Sequence, residues 1–254
     1  MKLDYHIHAI AHGEYKYTLE WLTRFINQAQ RMGIDEIGFS EHDDYLLEVD
    51  IDLIREVQGL NSKIGIKLGL EVDYELELNQ DIKKMVQSNY LDYLIGSVHF
   101  IDGWAFDHPD HKHKFNEFDI DIVYQSYYDL VDKAARSKQF DIIGHLDLIK
   151  IWGHKPKQKD VLQYVEPVLS SIKEAGLVIE INTAGLRKPV QEIYPQYEVI
   201  ELMKKMDIPI TLGSDAHHPS QVGLDIDKAV FLAKRAGYKN IVSFNKREKI
   251  IIPF

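Results

Sequence analysis

Six of the twelve histidines in this sequence stand at or beside the end of a predicted β-strand, and two acidic residues share that placement. These eight residues are His6, His8, His42, Glu71, His99, His145, Asp215 and His217. If the strands form a parallel α/β barrel, their carboxyl ends open at one face, where such folds carry their sites. The eight side chains are therefore expected to converge at one mouth.

The spacing within two of the motifs agrees with this arrangement, because residues i and i+2 of a strand point to the same side. Asp4, His6 and His8 have the same parity, so both imidazoles can face the mouth, and Asp4 is predicted to accept a hydrogen bond that orients one ring. Asp215 and His217 repeat the pattern. A lone strand-end histidine is usually structural, but this many in successive units predict a metal site.

The ligand types limit the chemistry of such a site. Imidazole and carboxylate without sulfur suit Zn, Mn or Fe, and the donors outnumber the roughly four to six that one ion takes. We therefore expect two or three divalent ions. Ions about 3.5–4 Å apart lower the pKa of a shared water and neutralise phosphate oxygens, which favours phosphoester hydrolysis. Ligand type alone leaves amide hydrolysis open.

Composition and charge exclude several other classes of protein. The chain has 254 residues, with 30 Lys and Arg against 40 Asp and Glu and a net charge of −10. No basic cluster predicts a polynucleotide groove. The absence of cysteine excludes disulfides, thiolate metal sites and cysteine nucleophiles. Neither a targeting segment nor an apolar run of roughly 20 residues is visible, so a cytoplasmic protein without a membrane partner is expected.

The elements that must position these residues alternate between short apolar strands and amphipathic helices. The predicted strands are 2–8, 35–42, 64–74, 91–99, 140–145, 177–183, 208–215 and 239–244. The predicted helices are 19–32, 51–60, 80–89, 121–137, 159–175, 197–206 and 221–236. This continuous alternation predicts seven or eight βα units around a parallel sheet.

No linker, low-complexity tract or repeat divides the sequence, so residues 1–254 are expected to form one domain. A single (β/α) barrel is preferred to an open doubly wound sheet, and the absence of a glycine-rich fingerprint after the first strand opposes a Rossmann-type nucleotide site. Residues 100–119 form the least regular stretch and are predicted to be a lid or another functional loop. Its histidines His108, His111 and His113 are predicted to form a solvated face; the alternative is that the loop closes over a substrate or supplies a catalytic acid.

The motifs, in this order, resemble those of the PHP (polymerase and histidinol phosphatase) superfamily. They read DYHIH at 4–8, SEHDD at 40–44, GLEVDY at 69–74, GSVHF at 96–100, GHLDL at 144–148 and GSDAHHP at 213–219. Two longer stretches, GSVHFIDGWAFD at 96–107 and EINTAGLRKPVQEIYP at 180–195, resemble the histidinol-phosphate phosphatase branch in particular. The resemblance covers nearly the whole chain.

The resemblance implies a distorted (β/α)7 TIM-like barrel with a trinuclear metal centre at the carboxyl ends of its strands. It assigns His6, His8, Glu71 and Asp215 to the first ion, Glu71, His99 and His145 to the second, and His42 and His217 to the third. Many relatives supply one more histidine to the third ion. The candidate here is His12, at a spacing shorter than the usual one.

The resemblance also points to residues that touch the substrate. It favours Arg187 over the neighbouring Lys188 as the cation that binds phosphate, since a planar guanidinium suits a bidentate contact. Independently of the resemblance, Asn182 has the same strand parity as Glu180 and is predicted either to line the mouth or to occupy a turn position. Trp104 is predicted to stack on a substrate ring or to anchor its loop. His217 is a candidate for the acid that protonates the leaving group.

The function that the resemblance implies is hydrolysis of L-histidinol phosphate to L-histidinol and phosphate by a metal-activated hydroxide, in histidine biosynthesis. The expected partner is a small phosphomonoester and not nucleic acid. Two alternatives stay open, a phosphodiesterase or exonuclease of the same superfamily that acts on small nucleotides and a non-catalytic metal-binding module. No oligomeric state is predicted.

Overall fold

Parallel strands that alternate with helices make up most of the structure. The computed structural model describes residues 1–61, 63–75 and 77–254. Within these ranges the strands are β1 (Leu3–Ile7), β2 (Glu36–Phe39), β3 (Gly65–Asp73), β4 (Tyr93–Ser97), β5 (Phe100–Ile101), β6 (Trp104–Ala105), β7 (Ile142–Ile143), β8 (Val178–Asn182), β9 (Ile210–Gly213), β10 (Asn240–Asn245) and β11 (Glu248–Pro253). Seven of them form one sheet in the order β1-β2-β3-β4-β7-β8-β9, and all of its strand pairs are parallel.

Helices follow the strands of this sheet, largely at the predicted positions. They are α1 (Leu19–Arg31), α2 (Ile51–Leu60), α3 (Gln80–Gln87), α4 (Ile120–Ser137), α5 (Val161–Ala175), α6 (Tyr197–Lys205) and α7 (Ile226–Ala236). Polar side chains cap several helices, as Thr18 does for α1 and Asp160 for α5, because they accept hydrogen bonds from first-turn N–H groups. No helix of the described ranges is long and apolar enough to cross a bilayer.

The barrel closes where its first strand meets its last one. Ile7 forms a parallel bridge with Ala216, just beyond β9. The N–H of His8 donates to the Ala216 carbonyl at 2.8 Å, and the N–H of Ala216 donates to the His6 carbonyl at 3.1 Å. These residues belong to the motifs at the ends of β1 and β9, so closure brings the first and last predicted ligands together. The predicted (β/α)7 TIM-like barrel is therefore confirmed.

The predicted strand at 239–244 exists, but it is not a barrel strand. It is β10, which pairs antiparallel with β11, so that Asn240 lies opposite Pro253 and Asn245 opposite Glu248. Strand β11 was not predicted, and α7 begins at Ile226 rather than at 221 because a 3-10 turn precedes it. The alternating pattern predicted a strand here but could not indicate its partner.

Residues 100–119 fold against the barrel. They contain the β5–β6 hairpin and a 3-10 segment at Pro109–Asn116. The indole N–H of Trp152, in the loop after β7, donates to the Phe106 carbonyl at 2.8 Å. This stretch is therefore attached to the neighbouring loop at the mouth of the barrel.

A buried group of polar side chains lies toward the amino ends of the strands, and we call Tyr5, Glu36, Tyr93 and Ser243 the floor network. The Tyr5 hydroxyl donates to the Glu36 carboxylate and lies 2.7 Å from Ser243 Oγ. Ser243 Oγ donates to Glu36 Oε1 at 2.6 Å, and the Tyr93 hydroxyl donates to the Tyr5 carbonyl at 2.7 Å. Each hydroxyl thus has a partner, and the two tyrosine rings stack at 4.8 Å.

Candidate metal centre

The eight strand-end residues do converge, and we call them the mouth cluster. Among the described residues, four groups of three side chains have donor atoms within 4.8 Å of one another. The groups are His6, His8 and Glu71; His6, His145 and Asp215; Glu71, His99 and His145; and His8, His42 and His217. Each of the eight residues belongs to at least one group, so the arrangement can hold more than one ion.

Glu71 stands at the centre of the mouth cluster, because β3 places its carboxylate between the ends of the neighbouring strands. Its Oε2 lies 3.2 Å from His6 Nε2, 3.4 Å from His8 Nε2 and 2.9 Å from His42 Nδ1. Its Oε1 lies 3.0 Å from His145 Nε2 and 3.7 Å from His99 Nε2. One carboxylate therefore reaches imidazoles from four other strand ends, which suits a ligand shared between ions.

Several imidazole nitrogens of the mouth cluster are buried and make no hydrogen bond within the part of the chain that the structure describes. They are His8 Nδ1, His42 Nε2, His145 Nδ1 and His217 Nε2. An unsatisfied buried polar atom costs about 1–3 kcal/mol, so such atoms need an explanation. Imidazole nitrogens and carboxylate oxygens are ligands for zinc and similar ions. The donor set therefore fits divalent metal ions.

Glu180 on β8 supports the ligands from behind. Its Oε1 lies 2.8 Å from His6 Nδ1, so the ring can donate there and turn Nε2 toward the mouth. Its Oε2 accepts from the His145 N–H at 3.0 Å. Gly213 leaves the space for this carboxylate, because a Cβ at that position would lie 1.9 Å from Glu180 Oε1.

The prediction that Asp4 orients an imidazole is wrong. Its carboxylate accepts from the N–H of Ser214 at 2.8 Å, from the Ser214 hydroxyl at 2.6 Å and from the N–H of Gly223 at 2.8 Å. Asp4 therefore holds the chain after β9 in place, and Glu180 takes the predicted role. Asp73 was also missed, and its Oδ1 lies 2.7 Å from His99 Nδ1. Its parity with Glu71 on β3 was a signal for this position.

In the mouth cluster, the imidazoles and the carboxylates stabilise each other's charged forms. Burial alone would raise the pKa of Glu71, but the imidazoles of His6, His99 and His42 hold it well below the usual value. Burial alone would lower the pKa of His99, and the Asp73 and Glu71 carboxylates raise it well above the usual value. Ionised carboxylates are thus present as ligands at neutral pH.

The pKa of His217 is shifted in the opposite direction to that of His99. Burial, with the nearby His42 and His12 imidazoles, lowers the pKa of His217 to about 4 despite the Asp215 carboxylate. Its ring is neutral at pH 7, which favours a ligand over the predicted acid for the leaving group. His12 lies beside it, with ring centroids 4.7 Å from His217 and 5.3 Å from His42. His12 is exposed and belongs to none of the four groups found among the described residues.

Arg187 reaches the rim of the mouth cluster from the loop after β8. Its Nη2 donates to the Ser214 carbonyl at 2.6 Å and lies 3.4 Å from the Asp215 carbonyl. Its Nη1 is buried and has no hydrogen-bond partner in residues 1–61, 63–75 or 77–254. The guanidinium is therefore fixed beside Asp215 with one donor group available to an anion.

Asn182 and Trp104 are both buried, and other residues of the chain bind their polar atoms. Asn182 is fully buried, and its amide donates to Glu180 at 3.0 Å and accepts from the Ala184 N–H at 2.8 Å. It therefore supports Glu180. Trp104 is 6% exposed, packs on Phe115 at a centroid distance of 4.7 Å and donates to the His111 carbonyl. Of its two predicted roles, the structure favours the loop anchor.

The histidines of the 100–119 stretch lie outside the mouth cluster. His108, His111 and His113 are exposed, which agrees with the predicted solvated face. His108 and His113 make local contacts with Asp110. His154 stacks on Phe115 at 4.7 Å. These four rings therefore do not add ligands to the mouth cluster.

Comparisons with known proteins agree with this geometry. The PHP domain family model matches residues 4–184. A probable histidinol-phosphatase of Deinococcus radiodurans is 37% identical over 201 residues, which cover 78% of this chain and 76% of the relative. The histidinol-phosphatase of Bacillus subtilis is 28% identical over 261 residues, with 87% of this chain and 96% of the relative covered.

A solved structure has the same fold over nearly the whole chain. It is histidinol phosphate phosphatase from Lactococcus lactis, complexed with zinc, L-histidinol and phosphate, with a TM-score of 0.74, 24% identity and 98% of each chain covered. The family model spans the first six barrel strands but only part of the mouth cluster, and the Deinococcus relative exceeds 30% identity. This chain belongs to the PHP domain family.

Proposed function

We propose that this protein is a metal-dependent phosphomonoesterase that hydrolyses L-histidinol phosphate to L-histidinol and phosphate in histidine biosynthesis. The observation that carries the proposal is the mouth cluster, where eight imidazole and carboxylate side chains converge and several buried ring nitrogens have no hydrogen-bond partner among the described residues. The curated relatives named histidinol-phosphatase support the substrate. The net charge of −10 opposes a polynucleotide substrate.

Two or three divalent ions of Zn, Mn or Fe are the proposed cofactors. His6, His8, Glu71 and Asp215 would hold one ion, Glu71, His99 and His145 a second, and His42 and His217 a third, with His8 adjacent and His12 at the rim. When bound, such ions lower the pKa of a coordinated water and neutralise charge on phosphate oxygens. Glu180 and Asp73 hold the His6 and His99 rings in the orientation that this requires.

Arg187 is the proposed phosphate-binding residue of the chain itself. Its Nη2 is held by the Ser214 carbonyl, so the guanidinium does not have to be ordered when substrate binds. Its Nη1, which has no hydrogen-bond partner among the described residues, can donate to an equatorial phosphate oxygen, where negative charge persists through the transition state. Lys188, the next residue, is exposed.

The test is phosphate release from L-histidinol phosphate by the purified chain, metal-loaded and chelator-stripped, beside a mononucleotide and a phosphodiester. We expect release from L-histidinol phosphate, loss of activity on stripping and recovery when metal is returned. Preferred cleavage of the diester would transfer the function to a phosphodiesterase. Full metal occupancy without turnover of any phosphomonoester would indicate a metal-binding module.

A further inference from the structure

Glu41, the residue before His42, holds the turn that follows β1. Its Oε1 accepts a hydrogen bond from the N–H of Ala9 at 2.6 Å, and its Oε2 accepts from the N–H of Ile10 at 3.1 Å. The Tyr17 hydroxyl also donates to Oε1, at 2.9 Å. Glu41 is 1% exposed, and Ala9 and Ile10 are fully buried. A side chain at the end of β2 thus binds the two backbone donors that directly follow His8.

The same turn is anchored a second time from α1. The indole N–H of Trp21 donates to the Ala9 carbonyl at 2.7 Å, so the N–H and the C=O of Ala9 have partners on different elements. The N–H of Ala11 donates to the His8 carbonyl at 3.2 Å. Ala11 has a φ of 55°, a left-handed conformation that a residue with a side chain adopts rarely and only when its surroundings hold it.

These anchors determine how three histidines from two strand ends meet. The His8 and His42 rings stack with centroids 4.1 Å apart, and the His12 ring stacks on His42 at 5.3 Å. His8 and His12 stand on either side of the turn, whereas His42 is joined through the backbone to Glu41. A shift of the turn along β2 would therefore move His8 and His12 relative to His42.

We propose that Glu41 is a positioning residue for the ion held by the His8–His42–His217 group, because it fixes the turn at residues 9–12 against the end of β2. The inference rests on the proposed function only in that this group takes an ion. A carboxylate is required, since its two oxygens accept from three donors. In Glu41→Gln the amide NH2 must face the N–H of either Ala9 or Ile10, so one anchor is lost in both amide orientations.

The test compares zinc binding by the wild-type chain and Glu41→Gln, measured as ions per chain and as stepwise dissociation constants in competition with a chromophoric chelator. We expect the wild-type chain to take three ions and the variant to hold the weakest of them about 10- to 100-fold more weakly, with the other two unchanged. Circular dichroism and thermal unfolding check the fold. A merely structural role would lower the unfolding temperature without this selective loss.

Ser40→Ala is the matched control. Ser40 is buried beside Glu41 and accepts from the N–H of Ile7 at 3.2 Å, so this change removes a bond to β1 without touching the turn. All three dissociation constants should stay at the wild-type values. If Glu41→Gln does not fold, Tyr17→Phe carries the test, because it removes one of the three donors to Glu41 and leaves both backbone anchors. We expect about threefold weaker binding of the same ion.

Three outcomes would overturn the inference. They are a third dissociation constant within twofold of wild type in the folded variant, equal weakening of all three ions, and a wild-type chain that takes only two ions. None of them decides the proposed hydrolysis, which the phosphate-release assay tests separately. Conversely, a wild-type chain that binds three ions but releases no phosphate would remove the proposed function and leave the role of Glu41 in place.

Discussion

The two ends of the barrel differ in whether their buried polar groups have hydrogen-bond partners. In the floor network the hydroxyls of Tyr5, Tyr93 and Ser243 all have hydrogen-bond partners. In the mouth cluster, ring nitrogens such as His42 Nε2 and His217 Nε2 are buried and have none in the described part of the chain. Because each unsatisfied group costs about 1–3 kcal/mol, the metal-free mouth destabilises the fold that the floor stabilises. Stability and chemistry therefore separate along the barrel axis.

The strongest test of this separation is Glu71→Gln. The change removes the charge that lies between the imidazoles of four strand ends, so we expect kcat/KM for L-histidinol phosphate to fall by about 10³-fold and metal content to fall with it. Activity within tenfold of wild type would contradict the central place of Glu71.

Arg187→Lys tests the rim of the same end. Lysine has one point-charge nitrogen in place of the planar guanidinium, so it cannot hold the Ser214 carbonyl with one nitrogen and present a second nitrogen to phosphate. We expect kcat/KM to fall by about 100-fold while metal content stays unchanged. Lys188→Ala is the control, and its kcat/KM should stay within twofold of wild type. If the two variants behaved alike, Arg187 would have no special contact with phosphate.

Gly38→Ala tests the floor. A Cβ at Gly38 would lie 1.8 Å from the Tyr93 hydroxyl, which is held by its bond to the Tyr5 carbonyl. We expect a loss of about 1–3 kcal/mol or more in the free energy of unfolding, with kcat per folded molecule unchanged. Gly59→Ala in α2 is the matched control, since no heavy atom of the described residues lies within 4 Å of its added Cβ. It should stabilise the protein by up to about 1 kcal/mol.

The smallest expected effect is the pH dependence of the mouth. Burial alone would lower the pKa of His99, but Asp73 and Glu71 raise it well above the usual value, so the metal-free ring holds its proton more tightly than a free imidazole does. That proton must leave before Glu71, His99 and His145 can bind a metal ion, so the affinity should rise with pH, by at most about tenfold per pH unit. Calorimetry in buffers of different ionisation enthalpy measures the proton released.

The raised pKa of His99 makes the stability of the metal-free protein change with pH in the opposite direction to its affinity for metal. A raised pKa in the folded state stabilises the protein fully below the unfolded value of about 6.5, and this contribution is lost as pH rises through the folded value. The metal-free protein should therefore become less stable above neutral pH while its affinity for metal increases. An affinity that does not change between pH 6 and pH 8 would contradict this account of His99.

The mouth cluster could be predicted from the sequence because its signal is local. For a histidine or an acidic residue at a strand end, strand parity determines which way the side chain points, and the fold class determines that it lies at the mouth. Strand parity and fold class can both be inferred from the alternation of strands and helices in the sequence. His6, His8 and Glu71 needed no knowledge of their neighbours. The same holds for the helices, whose caps, such as Thr18 and Asp160, are read from adjacent residues.

The supporting residues could not be predicted because their partners are distant in sequence. Asp4 and Glu180 both have the parity that points toward ligands, and only the packing of β8 and β9 decides which one meets His6. Asn182 and Trp104 have side chains of types that could bind a substrate. In the folded protein both are buried, and they donate hydrogen bonds to Glu180 and to the His111 carbonyl respectively. Strand β10 has the pattern of a barrel strand, and its pairing with β11 depends on the turn between them.

The seam between β1 and β9 also sets the order of events while the chain is being made. A nascent chain that has left the ribosome as far as β8 already carries Glu71, His99 and His145. It lacks Ala216, which closes the barrel onto Ile7, and it lacks Asp215 and His217. The groups that contain those two residues therefore form only when the last barrel strand docks, after the Glu71–His99–His145 group can already have assembled.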